Sequence, residues 1–99
     1  MGVRLDRSVV VARGKNREAS EFATNISNYF GELTGVPVLW GLEVGGTVGK
    51  IHFYTDYENL AAVEAALGQM MTDDGYQELL DSTVDVFDGA AEDTLVYTM

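Results

Sequence analysis

Ala19, Phe22, Ala23, Ile26, Tyr29, Phe30 and Leu33 recur at steps of three and four residues, the spacing of one face of an α-helix. Glu18, Glu21, Asn25, Asn28 and Glu32 fall on the opposite face. The pattern predicts a helix over 16–34, with Asn16 as its N-cap and Glu18 in the positive first turn. Gly35 and Pro37 stop it. A helix with so continuous an apolar stripe must bury that stripe against a second layer. The rest of the chain has to supply that layer.

Short β-branched and aromatic runs do so. Ser8–Ala12 reads as a strand closed by Gly14, with a start near Leu5. Val38–Val44 and Lys50–Thr55 read as two strands joined by Gly45-Gly46-Thr47-Val48-Gly49, a hairpin loop in which glycine tolerates positive φ. A second helix follows, capped by Asp56 with Glu58 in its first turn, and buries Leu60, Val63, Leu67 and Met70 or Met71. A short third helix spans 74–81, with Tyr76, Leu79 and Leu80 inward. Val84–Phe87 reads as a further strand, and Thr94–Met99 as a last one beyond an acidic bend at Gly89. The order is that of a ferredoxin-like βαββαβ sandwich, an α+β fold, with an extra C-terminal strand. In this reading helix crossovers join parallel neighbours, the central hairpin supplies antiparallel ones, and both helices cover one face of the sheet.

Size and charge narrow the function classes. Ninety-nine residues make one domain, 1–99, able to hide about two-thirds of its unfolded surface. With no cysteine there is no disulfide and no thiolate metal site or nucleophile, and one histidine cannot build a histidine-rich metal centre. A net charge of −10 argues against nucleic acid and against an anionic membrane surface as partners. The charge is uneven, +4 over residues 1–17 and −14 over 18–99. No signal peptide or membrane span is legible, so the expected location is the cytoplasm. Gly45–Lys50 lacks the glycine spacing of a phosphate loop, and no G-x-S-x-G elbow occurs. Asp85, Asp88, Glu92 and Asp93 lack the alternation of a calcium loop. No cofactor is expected.

The sheet carries the functional argument. Val38, Trp40, Leu42 and Val44 share one side of their strand, while Leu39, Gly41 and Glu43 share the other. Val9 and Val11 oppose Val10 and Ala12. Two apolar faces call for two covers, and helices provide one. The simplest second cover is another copy of the chain, an isologous homodimer.

Trp40-Gly41-Leu42-Glu43-Val44-Gly45, followed by Ile51-His52-Phe53-Tyr54, resembles the dimeric α/β-barrel superfamily. Within it the chain is most similar to NIPSNAP-type and antibiotic-biosynthesis monooxygenase-like proteins. A tyrosine often stands four residues after the histidine in that group, whereas this chain has Asp56 there and Tyr57 next. The resemblance implies a homodimeric barrel. It also implies a role among cofactor-independent oxygenases of aromatic polyketides, polyketide cyclases, haem-degrading enzymes and proteins of unassigned role. Haem degradation fits least, because such relatives take their axial histidine from a helix and His52 lies on a strand.

If Val44 faces Lys50 across the hairpin, Leu42 pairs with His52 and Trp40 with Tyr54, all on one side, with Glu43, Ile51 and Phe53 on the other. A slip of one residue regroups them, and the five-residue loop permits it. The candidate catalytic residues are His52 as general base, Tyr54 to orient a carbonyl or phenolate, and Glu43 as a carboxylate in an apolar strand. The candidate substrate-binding residues are Trp40, Leu42 and Phe53. Two readings follow. One is a protein that binds a small hydrophobic or aromatic molecule and transforms it as a cofactor-independent monooxygenase or cyclase. The other is a non-catalytic dimerisation or ligand-carrier module in which His52 and Trp40 fill an interface.

Overall fold

The structure, a computed structural model, describes residues 1–99. Strand β1 (Gly2–Val11) leads into helix α1 (Asn16–Thr34), then β2 (Leu39–Leu42) and β3 (Lys50–Tyr57). Helices α2 (Leu60–Thr72) and α3 (Asp74–Asp81) precede the last strand, β4 (Phe87–Thr98). The strands form one sheet in the order β2-β3-β1-β4, and every neighbouring pair is antiparallel. This is the ferredoxin-like arrangement, α+β, with α3 inserted before the final strand.

Helix α1 spans the residues its stripe predicts, and Ala19, Phe22, Ala23, Ile26 and Phe30 are buried. Burying each of its large apolar side chains stabilises the fold by roughly 2–3 kcal/mol. Gly35 ends the helix at φ 76°, where its amide N–H donates to the Gly31 carbonyl. This left-handed position is costly for any residue with a Cβ. The N-cap is Lys15 rather than Asn16, which lies inside the first turn, and no side chain caps that end. Asn59, not Asp56, caps α2 by accepting from the Ala62 N–H. Asp56 stays in β3 and pairs with Arg4.

Three strand expectations are corrected. The helix crossovers join strands that are parallel but not adjacent: β3 separates β1 from β2, and β1 separates β3 from β4. Strand β1 is longer than expected because it is central, with partners on both sides over most of its length. The two C-terminal strands are one. Residues 82–86 form turns, and β4 runs unbroken from Phe87 through the acidic bend, its register shifting opposite Ser8–Val10. A bulge absorbs Gly89 (φ 74°) without ending the strand.

The core lies between the helices and one face of the sheet. Val3, Leu5, Phe22, Ile26, Phe30, Tyr57, Val63, Ala66, Met70 and Tyr76 make its larger part. Val11, Ala19, Ala23, Ile51 and Val86 make a smaller one, with Trp40 packed against it. Ile51 is the largest side chain with no exposure. Ile51→Ala should cost about 2–5 kcal/mol and Ile51→Val about 1 kcal/mol, read as shifts in urea midpoint at constant slope.

Candidate functional site

The period-two alternation of the central strands sorts side chains onto two faces with different chemistry. Strand β1 pairs Arg4 with Asp56, Asp6 with Tyr54 and Ser8 with His52, all on the face without helices. Strand β2 pairs Trp40 with Phe53, Gly41 with His52 and Leu42 with Ile51. The hairpin register is therefore the alternative one, shifted by a residue from the Trp40–Tyr54 pairing. Its reason is physical. β1 holds Ile51 and Phe53 against the helices, so the other register would turn Trp40 outward and carry Glu43 into the apolar layer. Burying a carboxylate there and exposing a tryptophan to water both cost free energy, the carboxylate far more.

The candidate residues separate accordingly. His52, Tyr54 and Glu43 gather on the open face, whereas Trp40, Leu42 and Phe53 face the helices. A single site containing all six does not form. On the open face Glu43 Oε1 accepts from His52 Nε2 at 2.7 Å, and Asp6 Oδ1 faces His52 Nδ1 at 2.9 Å. Glu43 Oε2 also accepts from the Thr47 N–H at 2.6 Å, which ties the hairpin loop to the sheet. Tyr54 stacks on His52 with ring centroids 5.8 Å apart, and the Arg4 guanidinium lies 5.6 Å above the Tyr54 ring. Arg4 in turn grips Asp56 with two hydrogen bonds.

This face is polar at its centre, contrary to the expectation of two apolar faces. Val10 and Ala12 are small interruptions beside Asp6, Ser8, His52 and Tyr54. Within the sheet and its hairpin, the exposed aliphatic side chains lie instead at the edges and in the loop: Leu39, Leu42, Val44, Val48, Leu95 and Val96.

Two carboxylates, one on each ring nitrogen, favour the imidazolium. The bond to Asp6, then that to Glu43, raises the His52 pKa above 6.5, while the bond to His52 lowers that of Glu43 below 4.5. With both ring nitrogens held by carboxylates, His52 clamps β1 to the hairpin. The pH signature follows from linkage. The His52 contribution to stability is complete below about pH 6.5 and is lost as pH rises through the raised folded-state value. The Glu43 contribution is complete above about pH 4.5 and is lost as pH falls through the lowered one. The melting-temperature gap between wild type and His52→Gln should therefore be widest near pH 5–6 and shrink by about pH 9. An equal gap at both ends would show that the charge of the clamp contributes nothing.

The other face holds a cavity of about 370 Å³ between helices and sheet. Phe22, Ile26, Phe30, Phe53 and Met70 form its inner wall, while Leu80, Gly89, Ala91 and Asp93 stand at its exposed side. Alternate residues of β4 point in, and the missing bulk of Gly89 and Ala91 leaves the space open. Its charged groups are Arg7 and Asp93, with Arg7 Nε and Nη2 donating to the Asp93 carboxylate at 2.7 and 2.8 Å. That pair holds the Asp93 carboxyl below its ordinary pKa. Burial raises the pKa of the Tyr76 hydroxyl, with Arg7 opposing. Ser27 also lines the cavity, and its buried hydroxyl has no hydrogen-bond partner.

Of the sequence candidates only Phe53 reaches this cavity. Asp6 on the open face, and Arg7, Ser27, Tyr76 and Asp93 in the cavity, were not singled out as site residues. Arg7 carried a signal: it shares strand parity with Leu5 and Val9, so a cation had to enter the apolar layer. Asp93 carried none, because only the β1–β4 register brings it to Arg7.

At the level of sequence, no family model and no curated protein matches the chain. Solved structures do match. A NIPSNAP domain protein from Burkholderia xenovorans superposes with a TM-score of 0.84 at 13% identity, covering 98% of this chain and 94% of that one. The fold is shared with NIPSNAP proteins. A NIPSNAP family protein from Agrobacterium tumefaciens gives 0.84 at 12% identity over 100% of this chain and 94% of its own. A candidate antibiotic biosynthesis monooxygenase from Deinococcus radiodurans gives 0.71 at 13% identity, over 98% of this chain and 92% of that one. At such identities the likeness is one of fold, in keeping with the resemblance carried by the Trp40–Gly45 and Ile51–Tyr54 runs. No helix is long and apolar enough to cross a membrane.

Proposed function

We propose that the protein binds a small, largely apolar molecule in the cavity between its helices and its sheet. The observation that carries this reading is the cavity itself. Thirteen of its 19 lining residues are hydrophobic, and its few polar groups are distinct in kind. Arg7, Tyr76 and Ser27 offer hydrogen bonds inside a mostly apolar wall, the composition of a site that fixes orientation with few contacts. A ring system of one or two cycles suits the volume and the surrounding Phe22, Phe30, Phe53 and Phe87.

Fluorescence of the uncharged probe N-phenyl-1-naphthylamine tests the reading. One probe should bind per chain, and Ala91→Phe should remove binding while leaving the melting transition in place. Undiminished binding to Ala91→Phe would put the site elsewhere.

A second reading, favoured by Arg7 beside Tyr76 and by the fold likeness to the Deinococcus protein, is cofactor-independent oxygenation or cyclisation of the bound molecule. In that case Arg7 and Tyr76 polarise a carbonyl oxygen of the substrate, and His52 stays a clamp on the far side of the sheet. The carrier reading needs the same cavity without turnover. Both include a second copy of the chain as partner in the cytoplasm. The exposed Leu39 and Val96 at the two edges of the open face support that partner, and the polar centre, whose charges are already paired internally, can be covered at reduced cost. Light scattering should give twice the chain mass, and Leu39→Glu combined with Val96→Glu should return it to that of a single chain.

A further inference from the structure

We infer that Asp93 is a specificity-determining residue: by neutralising Arg7 it makes the cavity select an uncharged, carbonyl-bearing ligand and reject its carboxylate counterpart. This rests on the cavity reading and adds a chemical filter to it.

A guanidinium carries five N–H donors. Asp93 accepts one from Nε and one from Nη2. The contact of Nη1 is the Met70 sulfur at 3.7 Å, a weak acceptor. Arg7 therefore enters the cavity with its charge balanced by Asp93, its Nη1 set against the Met70 sulfur and the Tyr76 hydroxyl beside it. A carbonyl oxygen placed there gains a charge-assisted hydrogen bond and gives up little hydration. A carboxylate meets Arg7 and Asp93 together, so attraction and repulsion largely cancel while its full desolvation cost remains. The chain's net charge of −10 adds to that bias. A second observation fixes the other end of the ligand. Ser27 is 9% exposed, lines the cavity, and leaves its hydroxyl unpartnered. A buried polar atom of this kind is normally satisfied, and a second oxygen or nitrogen on the ligand would satisfy it.

Asp93 is also placed to act as a filter. It sits on an edge strand, at the exposed side of the cavity, with its side chain 40% accessible. Its neighbour two positions earlier, Ala91, leaves room for a ligand to lie alongside it.

Two nearly isosteric probes separate the alternatives: 2-acetylnaphthalene, a neutral ketone, and 2-naphthoate, an anion at neutral pH. Titration calorimetry of the wild-type protein should show the ketone bound at least about tenfold more tightly. Asp93→Asn leaves Arg7 uncompensated and should shift the ratio about tenfold or more toward 2-naphthoate. Arg7→Met should weaken ketone binding several-fold without improving that of the acid. Equal wild-type affinities, or an unchanged ratio in Asp93→Asn, would overturn the filter and leave the cavity reading standing. Failure of both probes to bind the wild-type protein would overturn the two together. If Asp93→Asn does not fold, the wild-type ratio and Arg7→Met still decide.

Discussion

Strand β1 lies between two partners, and its pleat passes Val3, Leu5, Arg7, Val9 and Val11 to the helix side and Arg4, Asp6, Ser8 and Val10 to the other. Both edge strands depend on that division. The register of β3 on β1 sends Ile51, Phe53, Thr55 and Tyr57 inward, and β2 must then follow with Trp40 and Leu42. The register of β4 on β1 sets Asp93 opposite Arg7. A one-residue slip at β1 would exchange the two faces wholesale.

That division yields two polar assemblies with opposite logic. On the open face charge is paired within the protein: Asp6 and Glu43 on either side of His52, and Asp56 on Arg4. Both ring nitrogens of His52 are engaged there, and the product is a stitched hairpin whose strength depends on pH. In the cavity the balance is incomplete by design of the residues present. Arg7 is neutralised with its Nη1 set against the Met70 sulfur, and Ser27 keeps a hydroxyl without partner. Unspent hydrogen-bonding capacity in an apolar wall is what a binding site offers, and spent capacity is what a structural clamp shows.

The helices were legible from spacing because a three-and-four repeat is a local property. The stripe from Ala19 to Leu33 matches α1 over Asn16–Thr34, and Asp74–Asp81 forms the helix that Tyr76, Leu79 and Leu80 indicate. Caps were read less well, since Asn16 and Asp56 are as good capping residues as Asn59 and the choice depends on where a strand releases the chain. Val84-Asp85-Val86 has strand composition yet turns, because the chain must reverse there to bring Phe87 onto Val11 and Phe22. Of the site, the gathering of His52, Tyr54 and Glu43 was visible in part, and their supposed companionship with Trp40 was not real.

By itself the sequence determined the helical stripe, the order of elements, the absence of cysteine chemistry and the acidic charge, all of which depend on residue identity and local spacing. Tertiary structure alone decided which strands are neighbours and in which register. It thereby decided that His52 lies between two carboxylates and that Arg7 meets Asp93 across 86 positions of chain. The reason is that a strand's alternation defines two faces without saying which is inside. Only pairing with a second strand, and the cost of burying the wrong charge, settles that choice.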